Sequence, residues 1–439
     1  MRIYKNNFIM LFQVLICSVF FNCANLFGLN LSREEAVRYA LANSELIRIQ
    51  EMAERKSALA IATARSPSLP QLNVMFDYDR NWTLQSIVFN GNSVKIGSEY
   101  DMRTAIGLRQ ALFSGGRNRA SKTVAEYSHV GNKLQGKTIR QNLIAQVEYT
   151  FYDVLVAVEL ASVSYLALKN ARESLDLIQT RRRVGQGSKF EELRARGHVS
   201  SMVADSIAAQ NHIVLTGLKL KSLIGLDAET EISINGDLSR VSRWQDKDKD
   251  SLIYVAMNTR PDLKAMKQQL RIEEQVINLE KSARWPKIDF VLSGQAQMQT
   301  DKFKYQNSKW TKNWATGLTL RVPVFDGFLT RSRINQAQTQ LETVQYEFLH
   351  LQRRVKLEVE TSLRRVEEAV ARVKAESQVV LEAKKAIQMA YSRYSTGAGT
   401  QLEILDAQLL LVRSQTNLAL ARRDRAIGLL ELDRSLGLL

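Results

Sequence analysis

The chain has 439 residues, 45% hydrophobic and 24% charged, which excludes a disordered polymer and allows one large domain or two to three small ones. A formal net charge of +16 points to anionic partners, yet both cysteines, Cys17 and Cys23, fall in an N-terminal stretch that reads as an export signal, which argues against nucleic acid. Four scattered histidines, without His-Glu-x-x-His or further cysteines, exclude the common zinc-enzyme motifs, so no catalytic residue, metal site or cofactor is expected.

Residues 1–28 form the expected signal. Arg2 and Lys5 precede an apolar run from Phe8 to Phe21 that is too short to favour a retained span. Phe20-Phe21-Asn22-Cys23 loosely resembles a lipoprotein processing box, which makes Cys23 a candidate for lipidation; cleavage near Ala24 or Gly28 without a lipid is the alternative. No apolar run of membrane-crossing length is apparent after it. Five prolines occur, at 67, 70, 261, 286 and 323, and the two long stretches without one favour long helices.

Ser32 and Glu35 form a capping-box signature that starts a helix reaching about Ala64, interrupted near Asn43-Ser44-Glu45-Leu46. Thr259-Arg260-Pro261 repeats the interruption in the second half. Each half then switches to alternation. Leu72, Val74, Phe76 and Tyr78 oppose Asn73, Asp77 and Asp79; Met102, Thr104, Ile106 and Leu108 oppose Arg103 and Arg109. Ile288, Phe290 and Leu292, then Trp314, Thr316, Leu318 and Leu320, continue the pattern with Asp289 and Arg321 on the other face. Four strands of about ten residues, apolar on one face and polar on the other, fit a transmembrane β-barrel. Trp82, Tyr100, Trp310 and Trp314 fit its aromatic girdle. Alternation alone also allows two soluble hairpins packed on a core. Four strands cannot close a barrel, so strands that cross a membrane require several chains to share one.

From Phe113-Ser114-Gly115-Gly116 to Arg183 the pattern predicts one helix of about 70 residues, about 105 Å long. Val147, Phe151, Val154, Val158, Ala161, Tyr165, Leu168, Leu175 and Ile178 recur in steps of three and four, as in a coiled coil. A turn, Val184-Gly185-Gln186-Gly187-Ser188, reverses the chain into a return helix ending near Ile224-Gly225. All of this recurs 212 residues later: Phe113 matches Phe325, Arg119 matches Arg331, Glu191 matches Glu403, and Gly225 matches Gly437. The chain is therefore an internal duplication, with repeats over 29–226 and 251–439 and a connector over 227–250 whose Asp246–Asp250 run reads as a solvated linker. The fold class is mainly α, a long antiparallel coiled-coil assembly, with a small β part of four strands per chain.

With hairpin, long helix, glycine tip and return helix all duplicated, the sequence resembles the TolC family of outer-membrane efflux proteins. The resemblance rests on Ser66-Pro67-Ser68-Leu69-Pro70-Gln71-Leu72, on Val322-Pro323-Val324-Phe325-Asp326-Gly327, and on Tyr394-Ser395-Thr396-Gly397 leading to Leu405-Asp406-Ala407. It implies a homotrimer whose chains share a twelve-stranded barrel in outer-membrane lipid, with helices forming an α-barrel across the periplasm that closes at its tips. It implies a passive exit duct of a tripartite efflux or type I secretion system, served by a periplasmic adaptor (membrane fusion) protein and an inner-membrane pump.

By the same resemblance the adaptor binds the tips, here Val184, Gly185, Gln186, Thr396, Gly397 and Ala398. A plainer account is that these glycines only permit a positive φ in a tight reversal. Glu403 and Asp406 align with the family's acidic pore constriction. Their i, i+3 spacing puts both on one helix face, so threefold symmetry would stack two carboxylate rings; the alternative is an ordinary solvated face. Glu191, the Arg181-Arg182-Arg183 run and Tyr394 are expected as closed-state contacts, although Gly399 stands where the family has a gating arginine. The competing functional reading, an exported periplasmic coiled-coil scaffold or adaptor, shares the helices but needs no alternating strands.

Overall fold

The computed structural model describes residues 29–240, 244, 247–302 and 309–439. The expected export signal with Cys23 lies outside the described residues, as does Asp246. Two compact units are present, one drawn from residues up to 50, 137–261 and 352–439, the other from 51–136 and 262–351. Each contains pieces of both repeats.

The second unit holds the sheet. Strands β2 (Gln71–Arg80), β5 (Tyr100–Phe113), β7 (Lys287–Thr300) and β8 (Thr311–Arg321) are antiparallel in the order β2-β5-β7-β8. Pairing of β5 with β7 joins the hairpins of the two repeats, so they form one sheet rather than two separate packages. Register keeps like faces together: Leu72 lies opposite Leu108, which lies opposite Leu292, and Val74 continues through Ile106 and Gly294 to Trp314. Gly294 has a reason to be glycine, because a Cβ there would sit 2.6 Å from the Trp314 ring. Leu72, Val74, Phe76, Trp314, Leu318 and Leu320 are all exposed. An exposed apolar sheet face, flanked by two edges that are unpaired among the described residues, is suited to lipid and to pairing with further copies. The sequence pattern did not suggest the ribbon of β3 (Gln85–Phe89) and β4 (Asn92–Ile96), closed by Asn90 and Gly91 at φ 47° and 79°. Those are the two positive φ angles of a type I′ turn.

Along the chain, β1 (Leu29–Leu31) precedes α1 (Arg33–Asn43), which breaks at Ser44 before α2 (Glu45–Arg65). The capping box is formed: the Glu35 amide donates to Ser32 Oγ at 3.3 Å, and the Ser32 amide donates to Glu35 Oε2 at 2.8 Å. After β5 come α3 (Arg117–Arg183), α4 (Lys189–Ile224), β6 (Ile232–Ile234), α5 (Lys249–Thr259) and α6 (Pro261–Lys281). Following β8 are α7 (Leu329–Ser395) and α8 (Gln401–Ser435). Both α3 and α7 have 67 residues, about 100 Å at 1.5 Å rise.

The duplication extends to backbone conformation. Gly225 and Gly437 end the return helices at φ 71° and 72°. A Cβ on Gly225 would meet Asn43 at 2.9 Å, and one on Gly437 would meet Arg260 at 2.9 Å. Each return helix thus ends against the break in the short helix pair of its own repeat, and neither glycine tolerates a side chain.

Val147, Phe151, Val154, Ala161, Leu168 and Ile178 are buried as the spacing predicts, whereas Val158 and Tyr165 are exposed. Contrary to the sequence reading, α3 does carry an apolar window long enough to cross a membrane; half of that window is buried by packing. The connector is also more than a linker. Ile232, Ser233 and Ile234 pair in parallel with Leu29, Asn30 and Leu31. Arg240, largely buried, joins Glu148 of α3 to Asp433 of α8, the latter at 2.5 Å, beside a cavity of about 630 Å³. Of the charged run, Asp248 caps α5 and Lys249 pairs with Glu360 at 3.0 Å.

Candidate functional site

The two glycine turns have the same backbone. At the first, the Gly185 amide donates to the Arg182 carbonyl at 3.0 Å and the Gln186 amide to the Arg181 carbonyl at 2.9 Å. At the second, the Gly397 amide donates to the Tyr394 carbonyl at 3.1 Å and the Ala398 amide to the Arg393 carbonyl at 2.9 Å. Both are Schellman ends, with the left-handed residue at Gly185 (φ 79°) and Gly397 (φ 83°). Ser188 and Thr400 then cap α4 and α8. Of the six tip residues, Val184 is a large apolar side chain left exposed.

Beneath the turns, α3, α4, α7 and α8 share one core of Ile178, Ala195, Ala383, Ile387, Ala390, Tyr394, Ile404, Ala407 and Leu411. Polar bonds cross it. Gln401 Nε2 donates to the Glu191 carbonyl at 2.8 Å, which ties the start of α8 to the start of α4. Arg181 donates to the Tyr394 carbonyl, and its guanidinium lies 4.6 Å from the centre of the Tyr394 ring. Farther from the turns, Tyr391 Oη and Gln408 Nε2 both donate to the Asn170 carbonyl, at 3.1 and 3.2 Å. Burial, then the nearby Glu191 carboxylate, raise the Tyr394 phenol above its ordinary value against the opposing pull of Arg181, so it stays protonated.

The expected closed-state residues are all at this site, with particular partners. Tyr394 takes Arg181, not Arg182 or Arg183. Arg182 reaches Glu192, while Arg183 donates to Thr180 Oγ1 at 3.1 Å. Glu191 closes a capping box with Ser188, through bonds of 3.0 and 3.1 Å, and has no ion pair among the described residues. Glu192, which sequence reasoning passed over, is 2% exposed and faces three cations: Arg182, Lys189 at 3.4 Å and Arg196 at 2.5 Å. Its neighbours at i−3 and i+4 look in sequence like a solvated helix face, which hides its burial.

Glu403 and Asp406 lie in the first two turns of α8. Arg393 Nε donates to Glu403 Oε2 at 3.1 Å, and Arg393 Nη2 to the Ala398 carbonyl at 2.9 Å. Asp406 is exposed and has no ion pair among the described residues. Gly399 sits under Arg393: a Cβ there would lie 2.9 Å from Arg393 Cβ and 3.0 Å from Glu403 Oε2. The guanidinium beside Glu403 therefore comes from position 393 while position 399 stays bare. No cluster of three metal-ligating side chains occurs among the described residues.

A family model described as Outer membrane efflux protein matches residues 36–226 and 252–438. The chain is 23% identical over 408 residues to Outer membrane protein TolC of Escherichia coli (strain K12), covering 91% of this chain and 80% of that protein. It is 24% identical over 412 residues to Pyoverdine export outer membrane protein OpmQ of Pseudomonas aeruginosa, covering 90% and 83%. Among solved structures, the outer membrane protein VceC from Vibrio cholerae superposes with a TM-score of 0.79 at 17% identity, over 92% of this chain and 96% of that one. The Campylobacter jejuni CmeC outer membrane channel gives 0.79 at 16% identity, over 92% and 85%.

Proposed function

The chain belongs to the outer membrane efflux protein family, and from that premise we propose that it is the outer-membrane duct of a tripartite efflux system, with three copies closing one barrel and the hairpin tips closing the far end. The family consists of channels rather than enzymes. One observation carries the reading for this chain: a four-stranded sheet, exposed and apolar on one face, with both edges unpaired among the described residues. Only partner copies satisfy those edges in lipid. A periplasmic scaffold has no use for such a sheet.

The partners follow in chemical terms. A passive duct needs a pump in the inner membrane to supply energy and a periplasmic adaptor to join the two; type I secretion would use the same parts. The adaptor's contact is proposed at Val184, Gly185 and Gln186 and at Thr396, Gly397 and Ala398, whose backbone reversals are the same in both repeats.

The proposed latch within each chain is Arg181 on Tyr394 together with Gln401 on the Glu191 carbonyl. This assignment accommodates Gly399, since the cation that holds Tyr394 comes from α3. Glu403 and Asp406 are proposed as the acidic rings of the constriction; Asp406 has no ion pair among the described residues, while Glu403 is partly neutralised by Arg393. The test is the reversal potential and divalent block of wild type and Glu403→Ala/Asp406→Ala in planar bilayers. Cation preference with millimolar divalent block in the wild type alone supports the rings. Equal block in both proteins removes Glu403 and Asp406 from the constriction.

A further inference from the structure

We propose that the helix-bearing end of the sheet is a collar that binds anionic phospholipid headgroups of the periplasmic leaflet. The proposal rests on the outer-membrane reading and adds the lipid class, the leaflet and the residues.

The apolar face of β8 does not stop at the last ladder pair. Beyond Leu318 and Leu320 it continues into Val322, Val324, Phe325 and Phe328, all exposed, with Val324 at 93% and Phe325 at 76%. The two phenylalanines meet edge to face, 5.5 Å between ring centres, and both stay exposed. The backbone is bent to place them there. Gly327 and Phe328 both have φ of 66°, and Phe328 is one of two described non-glycine residues at positive φ. A bulky side chain held in that region is costly and marks a position with a task. Exposed aromatics at the edge of a lipid-facing sheet are what an interfacial anchor requires.

Cations lie at the same end of the sheet as this segment. Arg117 and Arg119 open α3, Arg331 and Arg333 open α7, and Lys281 and Arg284 close α6 and its following turn. All six are exposed, and among the described residues none has a carboxylate within 4.0 Å. The tip arginines differ, for Arg181, Arg182, Arg196 and Arg393 are each engaged. Of the nearby carboxylates, Asp289 pairs with Arg109 at 2.6 Å and Glu126 with Lys122 at 3.3 Å, while Asp326 accepts from Thr330 and keeps its charge. Neither long helix has an acidic residue in its first turn, where the helix dipole favours one and disfavours arginine. Six exposed cations without ion pairs among the described residues, at the same end of the sheet as an exposed aromatic segment that continues the lipid-facing strand, are complementary to phosphate headgroups. The leaflet is the periplasmic one because the helices leave the sheet at this end.

The test is native mass spectrometry of the detergent-purified assembly, incubated with phosphatidylglycerol or phosphatidylcholine of equal chain length. The wild type should retain phosphatidylglycerol in preference. Each cation near an anionic surface is worth ~1 kcal/mol, so Arg331→Gln/Arg333→Gln should lower phosphatidylglycerol affinity about 25-fold. Lys374→Gln, an exposed cation elsewhere on α7, should leave it unchanged. Arg117→Gln/Arg119→Gln gives the same reading from the other repeat if the first variant does not assemble. Equal retention of the two lipids, undiminished phosphatidylglycerol preference in the arginine variants, or stronger competition by lipopolysaccharide each overturns the collar. Conductance of the same preparation in neutral-lipid bilayers separates the two ideas: an assembly that conducts without lipid preference refutes only the collar.

Discussion

Glu192 and Glu191 are adjacent acids with different work, and the difference is measurable. Glu191 caps the first turn of α4, so Glu191→Ala should cost about 1 kcal/mol and loosen only that turn. Glu192 is buried among three half-exposed cations, so Glu192→Ala leaves Arg182, Lys189 and Arg196 uncompensated and should cost more, about 2 kcal/mol. Amide hydrogen exchange across 180–200 checks both; equal effects would contradict the distinction. His198 gives a pH signature. Burial lowers its pKa below the usual value, against the opposing influence of Gln408 and Asp205. The unfolded chain then binds the proton more readily, so stability rises with pH across the window. Its contribution is complete above about 6.5 and is lost as the pH falls through the lowered folded value. His198→Gln should flatten the fall in melting temperature between pH 7.5 and 5.5; an unchanged slope would exclude His198 as its source. The left-handed glycines and the Ser32–Glu35 box were legible because backbone geometry restricts which residues can stand there. Arg181 was legible as part of the basic run before the first tip, but its partners were not, since a carbonyl and a ring more than two hundred residues away leave no local pattern.

At the scale of elements, the long helices and their turns were legible because apolar spacing and missing proline act over dozens of residues. Three-residue β1 and β6 were not, because their pairing is set by distant packing and leaves no local period. The β3–β4 ribbon was missed although Asn90-Gly91, between Ile87-Val88 and Val94, is a strong hairpin signal; its five-residue strands are too short to show much alternation. The glycine turns invite a paired test. Gly397→Ala forces a left-handed alanine and should cost about 1–2 kcal/mol. Gly399→Ala has no such backbone penalty, but its methyl would press on Arg393 and Glu403 and should open that ion pair. Hydrogen exchange at residues 393–406 should increase for both, while only Gly397→Ala lowers the melting temperature by an amount matching the backbone term.

For the whole molecule, alternation along the strands separates lipid from lumen. Leu318→Arg places a charge on the lipid face and should cost about 2–4 kcal/mol near the midplane, preventing recovery of a heat-resistant trimer on gels. Gly317→Arg, one residue away on the other face, should assemble normally. Trimerisation itself follows from chemistry visible in sequence, four strands with unpaired edges, whereas the partners of the proposed latch at the tips do not. The central claim, a closed duct held shut within each chain by Arg181 and Gln401, is tested most directly by single-channel conductance of wild type against Arg181→Ala/Gln401→Ala. The account predicts a small wild-type conductance that grows several-fold in the variant. A variant conductance equal to that of the wild type would contradict it.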